Sequence, residues 1–413
     1  MPKQSLHYNI TYIVITMNKI TYKKINYKKI DDNFLNGYIR FQEIINILYM
    51  DNGELKEREN RFYETWDQEK LIELSRELKK AVKNGNILYA AYDQRQIIGF
   101  SVISNDIFFD EYVNMPYIHT SKGYRGYGIG KYLFNIMALE AKKLGAKKLY
   151  ISTHPAVESQ KFYQSIGCVS TEKLNQKLFD LEPYDIHLEY ELNNIEEVKN
   201  LIRLDFVAQG KITALTIGKT ASRLYKFVPK KEEEFLCVFE ELISIKERGF
   251  YSVGTLMVKR NTSVIHEGNM EFFNRLLLSY VREWYEVDQY CTRILSPMIA
   301  LKDNHYQFLL NWSDSINKDV RRASLVSMIK PSSNRLIVEY DFDRMIFLVE
   351  KLKYDTDIHV RKAVGWVLKC TYFKYPNRLE QYLRNNVKNL DRLIFRYALE
   401  HIEEPLRQEL IEL

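Results

Sequence analysis

The sequence predicts a two-domain chain, mixed α/β in its first half and all-helical in its second. Three observations predict this. The chain has 413 residues, more than one hydrophobic core usually serves. Strand-like runs alternate with helical patterns as far as about residue 193 and then cease. In the second half Asp recurs ahead of an Arg and an Ala, in Asp319–Ala323, Asp357–Ala363 and Asp391–Ala398, with the alanines 40 and 35 residues apart. That interval suits stacked helix pairs of the HEAT type, which bury apolar faces on one another and build a solenoid with a concave side.

Residues 1–18 form an extension with no clear place in a fold, and Met17 offers an alternative start to Met1. Its apolar stretch, Ile10–Ile15, is too short and too poorly flanked for a signal peptide. The α/β domain is expected over 19–193. Its strands fall at Ile20–Ile30, Ile87–Tyr92, Ile97–Ser104, Val113–Thr120, Lys148–Thr153 and Ile186–Leu192. Its helices fall at Asp31–Met50, Asp67–Asn84, Gly130–Leu144 and Val157–Ile166. The boundary lies at Leu192–Glu196, and 194–413 reads as helix after helix, broken at Gly249, Asn261–Thr262, Pro297, Pro331–Asn334 and Pro376.

Hydrophobic residues at 46%, charged residues at 28%, 16 Gly and 9 Pro exclude a disordered or collagen-like chain. No run approaches the roughly 20 apolar residues of a membrane span, so a cytoplasmic protein without a membrane partner is expected. Cys168, Cys237, Cys291 and Cys370 lie far apart without metal-ligand spacing, which argues against disulfides and against a metal. The net charge is +6, with 34 basic and 30 acidic residues from Glu196 onward against 26 and 24 before it. Charge alone therefore names no nucleic-acid partner.

The first chemical signal is Arg125-Gly126-Tyr127-Gly128-Ile129-Gly130, between a strand-like run and an amphipathic helix. Glycines allow a tight turn whose N–H groups, with the helix N-terminus behind them, face a pyrophosphate. The stretch resembles the R/Q-x-x-G-x-G/A signature of the GNAT acetyltransferases. Downstream, Ala156 to Cys168, with Phe162-Tyr163 and Gly167, is similar to the family's helix ending in F-Y-x-x-x-G-F/C. The likeness spans about 19–193 and implies an α/β GNAT fold with a mostly antiparallel sheet. It implies acetyl-CoA as cofactor, its pyrophosphate on the backbone of Arg125–Gly130 and its pantetheine along Ile118–Thr120, with an amine of unknown identity as acceptor. Tyr163 is then the general acid that protonates the departing thiolate, or else an aromatic packed under the cofactor. Glu111 and His119 are the candidate bases, and Ala156 stands where such proteins usually carry an Asn.

The second signal is Trp284 and Asp288, one turn apart on a helix, followed by Arg321-Arg322, by Lys362 to Lys369 with Trp366, and by Phe395-Arg396. In order and spacing these resemble the HEAT-like-repeat alkylpurine DNA glycosylases of bacteria, most specifically in the Lys362-Ala-Val-Gly-Trp366-Val-Leu-Lys369 block. The resemblance covers about Ile195 to Leu413, with Glu283 and Tyr285 departing from the usual neighbours of the first Trp. It implies alkylated double-stranded DNA as partner and a base that need not be flipped into a pocket. Asp288 supplies a carboxylate to an oxocarbenium-like sugar, and Trp284 and Trp366 pack on deoxyribose and attract a cationic lesion. Arg322 holds a backbone phosphate, with Lys362 and Arg396 as further DNA contacts and Arg321 as its rival in register.

These readings combine into a bifunctional protein, an acetyl-CoA-dependent N-acetyltransferase joined to a module that excises cationic N3- or N7-alkylpurines. Two alternatives stand beside it. The solenoid is a non-catalytic scaffold for DNA or protein that places the acetyltransferase, or the first half acetylates a toxic amine that also damages DNA.

Overall fold

β-Branched and aromatic runs ending in turn residues make the strands of the first half, and the elements that result are numbered here in chain order. They are β1 (Ile20–Lys24), β2 (Phe41–Asp51), β3 (Glu54–Thr65), α1 (Gln68–Lys83), β4 (Ile87–Asp93), β5 (Gln96–Ile103), β6 (Ile107–Phe108), β7 (Tyr112–Asn114), β8 (Tyr117–Thr120), α2 (Ile129–Lys143), β9 (Lys148–Thr153), α3 (Val157–Gln164), β10 (Val169–Ser170), α4 (Gln176–Leu181), β11 (Ile186–Glu191) and α5 (Asn194–Gln209). The computed structural model describes residues 20–51, 54–333, 335–338 and 340–413. The 1–18 extension, with Met17 and Ile10–Ile15, lies outside the described residues, as does Asn334. The chain divides into two units, Met1–Ile212 and Thr213–Leu413.

The first unit is an α/β fold with two sheets, in the orders β1-β4-β5-β8 and β10-β11-β9-β7-β6, and a separate β2–β3 hairpin. Every pairing is antiparallel except β7 with β9. The expected single strand Val113–Thr120 is two strands that belong to different sheets, because Pro116 between them has no N–H to continue a ladder. Up to Met115, whose N–H donates to Tyr150 O at 2.9 Å, the chain pairs with β9; from Tyr117 it pairs with β5. The sheets therefore splay between β8 and the end of β9. Helix α2 lies over them with most of its length buried, Leu133, Ile136, Met137 and Ala138 being fully enclosed. α5 packs on α2 and belongs to this unit.

In place of the helix expected over Asp31–Met50, residues 31–40 form turns and irregular chain and the rest is β2 of the β2–β3 hairpin. Its register slips between Ile44 and Asn46, a bulge that leaves Ile44 and Ile47 as the buried pair on one face. One extra residue turns the two-residue period of a strand into a spacing of three, which imitates a helical stripe. The strand expected over Ile20–Ile30 stops at Lys24, where Asn26 accepts from the Lys28 N–H and caps a tight turn over Tyr27–Lys29.

The second unit is helical: α6 (Ala214–Leu224), α7 (Glu232–Ser244), α8 (Phe250–Arg260), α9 (Met270–Tyr280), α10 (Trp284–Tyr290), α11 (Ser296–Ile299), α12 (Tyr306–Ser313), α13 (Lys318–Val326), α14 (Phe342–Leu352), α15 (Ile358–Thr371), α16 (Pro376–Asn386), α17 (Arg392–Ala398) and α18 (Leu406–Glu412). Strands were expected to cease after residue 193, yet a hairpin, β12 (Ile329–Ser332) with β13 (Arg335–Val338), stands between α13 and α14. Pro331 there excludes helix while Ile329, Ile337 and Val338 favour extended backbone.

Helices α10, α13, α15 and α17 pack successively on one another, and α12, α14 and α16 pack beside them. Ala323, Ala363 and Ala398 are all fully buried, as small residues at close helix crossings should be. Asp357 and Asp391 cap α15 and α17, but in α13 the cap is Asn317 and Asp319 sits two residues further in. Six pairs of residues joined by hydrogen bonds stand 35 apart: Tyr225 with Arg260, Tyr251 with Glu286, Arg275 with Glu240, Tyr354 with Asn389, Tyr375 with Tyr340, and Arg378 with Asp343. The repeat interval thus reaches back to α6, well before the first Asp–Arg–Ala block.

Candidate functional site

In the first unit, Gly126 and Gly128 take φ of +81° and +76°, a left-handed conformation that L side chains rarely adopt. This reverses the chain into α2 so that Gly128 is its N-cap. Among the described residues, no backbone N–H from Gly126 to Lys131 donates to another protein group. Six donors at the positive end of a 15-residue helix form an anion cradle. A Cβ on Gly130 would lie 3.2 Å from the Phe162 ring, and one on Gly128 3.1 Å from Leu204 Cδ2, so the cradle fits backbone close to a ligand and little else. Arg125 Nε donates to Thr120 O at 3.3 Å, and Tyr127 is exposed. Ile118 and Thr120 lie on β8, an edge strand whose second side has no strand partner among the described residues. The residues assigned to acetyl-CoA are therefore assembled at the mouth of the splay, and their donor set suits a pyrophosphate.

Tyr163 lies on α3 beside Phe162, their rings 5.1 Å apart. Burial raises the phenol well above its ordinary value, with the Thr153 hydroxyl pulling the other way, so it stays protonated. Neither base candidate serves it. Glu111 is ion-paired with Lys173 and its carbonyl accepts from Lys147 and Lys148 at the start of β9, a strand of six residues with Thr153 at its far end. At about 3.3 Å per residue that is roughly 16 Å away. His119 packs against Trp66, ring centroids 4.9 Å apart, and burial, then Arg40 and Arg125, push its pKa down to about 3. Ala156, where an Asn was usual, is fully buried and bridges to Ile47 of the hairpin.

Asp185, in the turn before β11, is a residue that no sequence motif singles out. Ser152 Oγ donates to Asp185 Oδ2 at 3.1 Å. Burial, reinforced by Glu182 and Glu64 and opposed by Ser152, raises its carboxyl to about 6. Its charge reaches Tyr163.

In the second unit, α10, α13 and α15 bring the Trp, Asp, Arg and Trp of the sequence together. Arg322 grips Asp288 as a fork, Nε to Oδ1 at 2.9 Å and Nη2 to Oδ2 at 3.0 Å, and its Nη1 donates to His359 O. Its guanidinium lies 6.0 Å from the centroid of the Trp366 ring. Trp284, 44% exposed, stands parallel to the His359 imidazole, at 5.8 Å and 6°. Burial raises the Asp288 carboxyl above its ordinary value, only partly opposed by Arg322, by charge and hydrogen bond, and by His359. A π-helical turn, Cys291–Leu295, follows α10 directly.

Arg322 was expected to hold a phosphate, but it is 5% exposed and three of its five N–H donors are occupied. Arg321 takes the internal role: it grips Asp355 through Nε and Nη2 at 2.6 and 3.0 Å and donates through Nη1 to Ser315 O and Ile316 O. Arg361 repeats this with Asp355 O and Thr356 O. Lys362 is thus the counterpart of Arg322 one repeat on, and Arg396, exposed on α17, stands five residues past its helix cap as those two do past theirs. Among the described residues no group of three His, Cys, Asp or Glu could hold a metal, and no helix is long and apolar enough to cross a membrane.

The family model of DNA alkylation repair enzymes matches residues 193–402, just over half of the chain, and that of the acetyltransferase (GNAT) domain matches 52–178. No curated protein matches the chain. Among solved structures, nourseothricin acetyltransferase is similar at 14% identity, covering 42% of this chain and 99% of its own, with a TM-score of 0.34. A GNAT family acetyltransferase from Elizabethkingia anophelis with acetyl-CoA bound shares 26% identity over 28% of this chain and 82% of its own, TM-score 0.24. The IAA acetyltransferase of Bacillus cereus shares 18% over 42% and 99%, TM-score 0.27.

Proposed function

The chain belongs to the DNA alkylation repair enzyme family and carries an acetyltransferase (GNAT) domain ahead of that region, and on this premise we propose that it is a bifunctional enzyme. Its second unit excises cationic N3- or N7-alkylpurines from double-stranded DNA, and its first transfers acetyl from acetyl-CoA to an amine. The observation that carries the reading is the meeting of Asp288 with Trp284, Arg322 and Trp366 across three helices. An alkylated purine already carries positive charge and leaves readily, so the barrier lies in the electron-poor sugar. A carboxylate held rigidly beside it stabilises that charge, and indole faces attract the cationic base. Arg322 opposes the upward push of burial on the Asp288 carboxyl and aims it; Lys362 and Arg396 then contact phosphates. Incubating the protein with duplex containing N7-methylguanine and scoring base release tests this.

For the first unit, the unpaired N–H groups from Gly126 to Lys131 support the acetyl-CoA site, and the protonated Tyr163 supports a general acid. Acetyl-CoA supplies the activated acyl group; the chain binds its phosphates on those amides, lays the thioester along β8 and gives a proton to the sulfur. One observation favours the scaffold alternative for the second unit: both Asp288 oxygens are already engaged by Arg322. In that case the protein binds alkylated duplex and releases no base.

A further inference from the structure

Arg322, the arginine expected at a backbone phosphate, is occupied by Asp288, and Arg321 by Asp355; each grips its carboxylate with the Nε–Nη2 edge of the guanidinium. Arg293, in the π-helical turn that follows α10, is built the other way round. Its Nη1 is the anchored corner, donating to Thr255 Oγ1 at 2.7 Å, to Gln289 Oε1 at 2.8 Å and to Ser252 O at 3.4 Å. Among the described residues no carboxylate pairs with Arg293, and its Nε and Nη2 donate to no protein group yet are not sealed from solvent. Burial lowers its pKa to about 10, with the Tyr251 phenol opposing and Arg260 adding. A cation has been taken partly out of water with no anion beside it. Val287, Tyr290, Cys291 and Ile294 form the buried side of this helical run, and Asp288, Gln289, Thr292 and Arg293 are half-buried on its other side. Asp288 looks toward α13, where Arg322 holds it, and Arg293 toward α8, where Ser252 and Thr255 hold it. Five residues separate the two, about 7 Å along a helix or roughly two base steps of duplex. A π turn inside a helical run is frequent at functional sites.

We propose that the open Nε–Nη2 edge of Arg293 grips a backbone phosphate of the lesion-bearing strand, within about two nucleotides of the sugar that meets Asp288. The inference rests on the reading of the second unit as a DNA alkylation repair module. A phosphodiester presents two anionic oxygens much as a carboxylate does, and this edge takes them as Arg321 and Arg322 take their carboxylates. The Nη1 anchor holds the guanidinium in place before DNA arrives, so little side-chain freedom is lost when the contact forms. Lys362 and Arg396 lie on α15 and α17, beyond α13, so Arg293 contacts the strand on the opposite side of Asp288 from them. The contact fixes the register of the strand over Asp288 and reads no base.

The test measures binding of the full chain to duplex that carries one N7-methylguanine, with a neutral methylphosphonate replacing one phosphate of the lesion strand at a time. Wild type loses affinity on the order of 10-fold when the phosphate that Arg293 holds is neutralised. Arg293→Gln binds unmodified duplex about that much more weakly, has a salt slope smaller by about 1, and no longer responds to the methylphosphonate at that one position. Arg293→Lys keeps the charge without the fork, so its loss at that position is smaller than that of wild type, and it carries the comparison if Arg293→Gln does not fold. If the variants unfold at lower temperature but keep the wild-type slope and methylphosphonate pattern, Arg293 is a staple between α8 and the π turn; the proposal then fails and the repair reading survives. If wild type binds duplex and releases no base, the excision reading fails while slope and pattern still decide Arg293. If wild type does not bind duplex, both fail.

Discussion

The two units solve the problem of holding charge in opposite ways. At the start of α2 the site is backbone: six N–H groups without partners, exposed by glycines at positive φ and open to an incoming anion. In the helical unit the site is side chain, and its charged members already satisfy each other, Asp288 with Arg322 and Arg322 with His359 O. The first is preorganised for a ligand that brings its own negative charge. On the proposed reading the second meets a positive charge that develops only during reaction, and its carboxylate is fixed beforehand.

The largest expected effect falls on the backbone site. Gly128→Glu places a side chain at φ +76° against Leu204 and adds negative charge to the cradle, so acetyl-CoA affinity by calorimetry should drop on the order of 10³-fold, while thermal unfolding still shows a folded chain. Tyr163→Phe keeps the ring and removes the acid, and steady-state kcat should fall by about 10²-fold with acetyl-CoA affinity retained. Retained kcat would make Tyr163 a packing residue.

Electrostatics of burial can be separated from both sites at Glu197 on α5, which accepts the Asn193 N–H at 2.9 Å and whose carboxyl burial raises to about 7. The folded state then holds that proton more tightly than the unfolded chain. Stability is fully present below the ordinary carboxyl range and lost as pH rises through about 7. Glu197→Gln should therefore be more stable than wild type at pH 8, by at most about 3 kcal/mol of unfolding free energy, with little difference at pH 4.5. The smallest effects belong to the expected phosphate contacts. Lys362→Ala and Arg396→Ala should each weaken duplex binding a few-fold whatever the sequence and lower the salt slope by about 1. No change in slope would remove them from the DNA path.

Much of this was legible in the sequence, for reasons that differ between the halves. Gly126, Gly128 and Gly130 announce a backbone requirement, and the alanines at 323, 363 and 398 announce helix crossings, because in both cases the residue type is dictated locally. The β2–β3 hairpin was illegible because its bulge disguised a strand as a helix, and with it went Arg40, Glu64 and Trp66. Asp185 was illegible because nothing in its neighbourhood along the chain shows that Ser152 stands beside it. The four catalytic-type residues of the helical unit could be picked out one by one, but that Arg322 grips Asp288 rather than standing free depends on two helices 34 residues apart in sequence.

The account's central claim is that this gripped carboxylate does chemistry. Single-turnover release of N7-methylguanine from duplex, with enzyme in excess, tests it on wild type and on Asp288→Asn, which keeps the shape and removes the charge. The account predicts base release by wild type and a rate lower by about 10²–10³-fold in the variant, with duplex affinity nearly unchanged. Release as fast in Asp288→Asn as in wild type, or duplex binding by wild type with no base released, would contradict it.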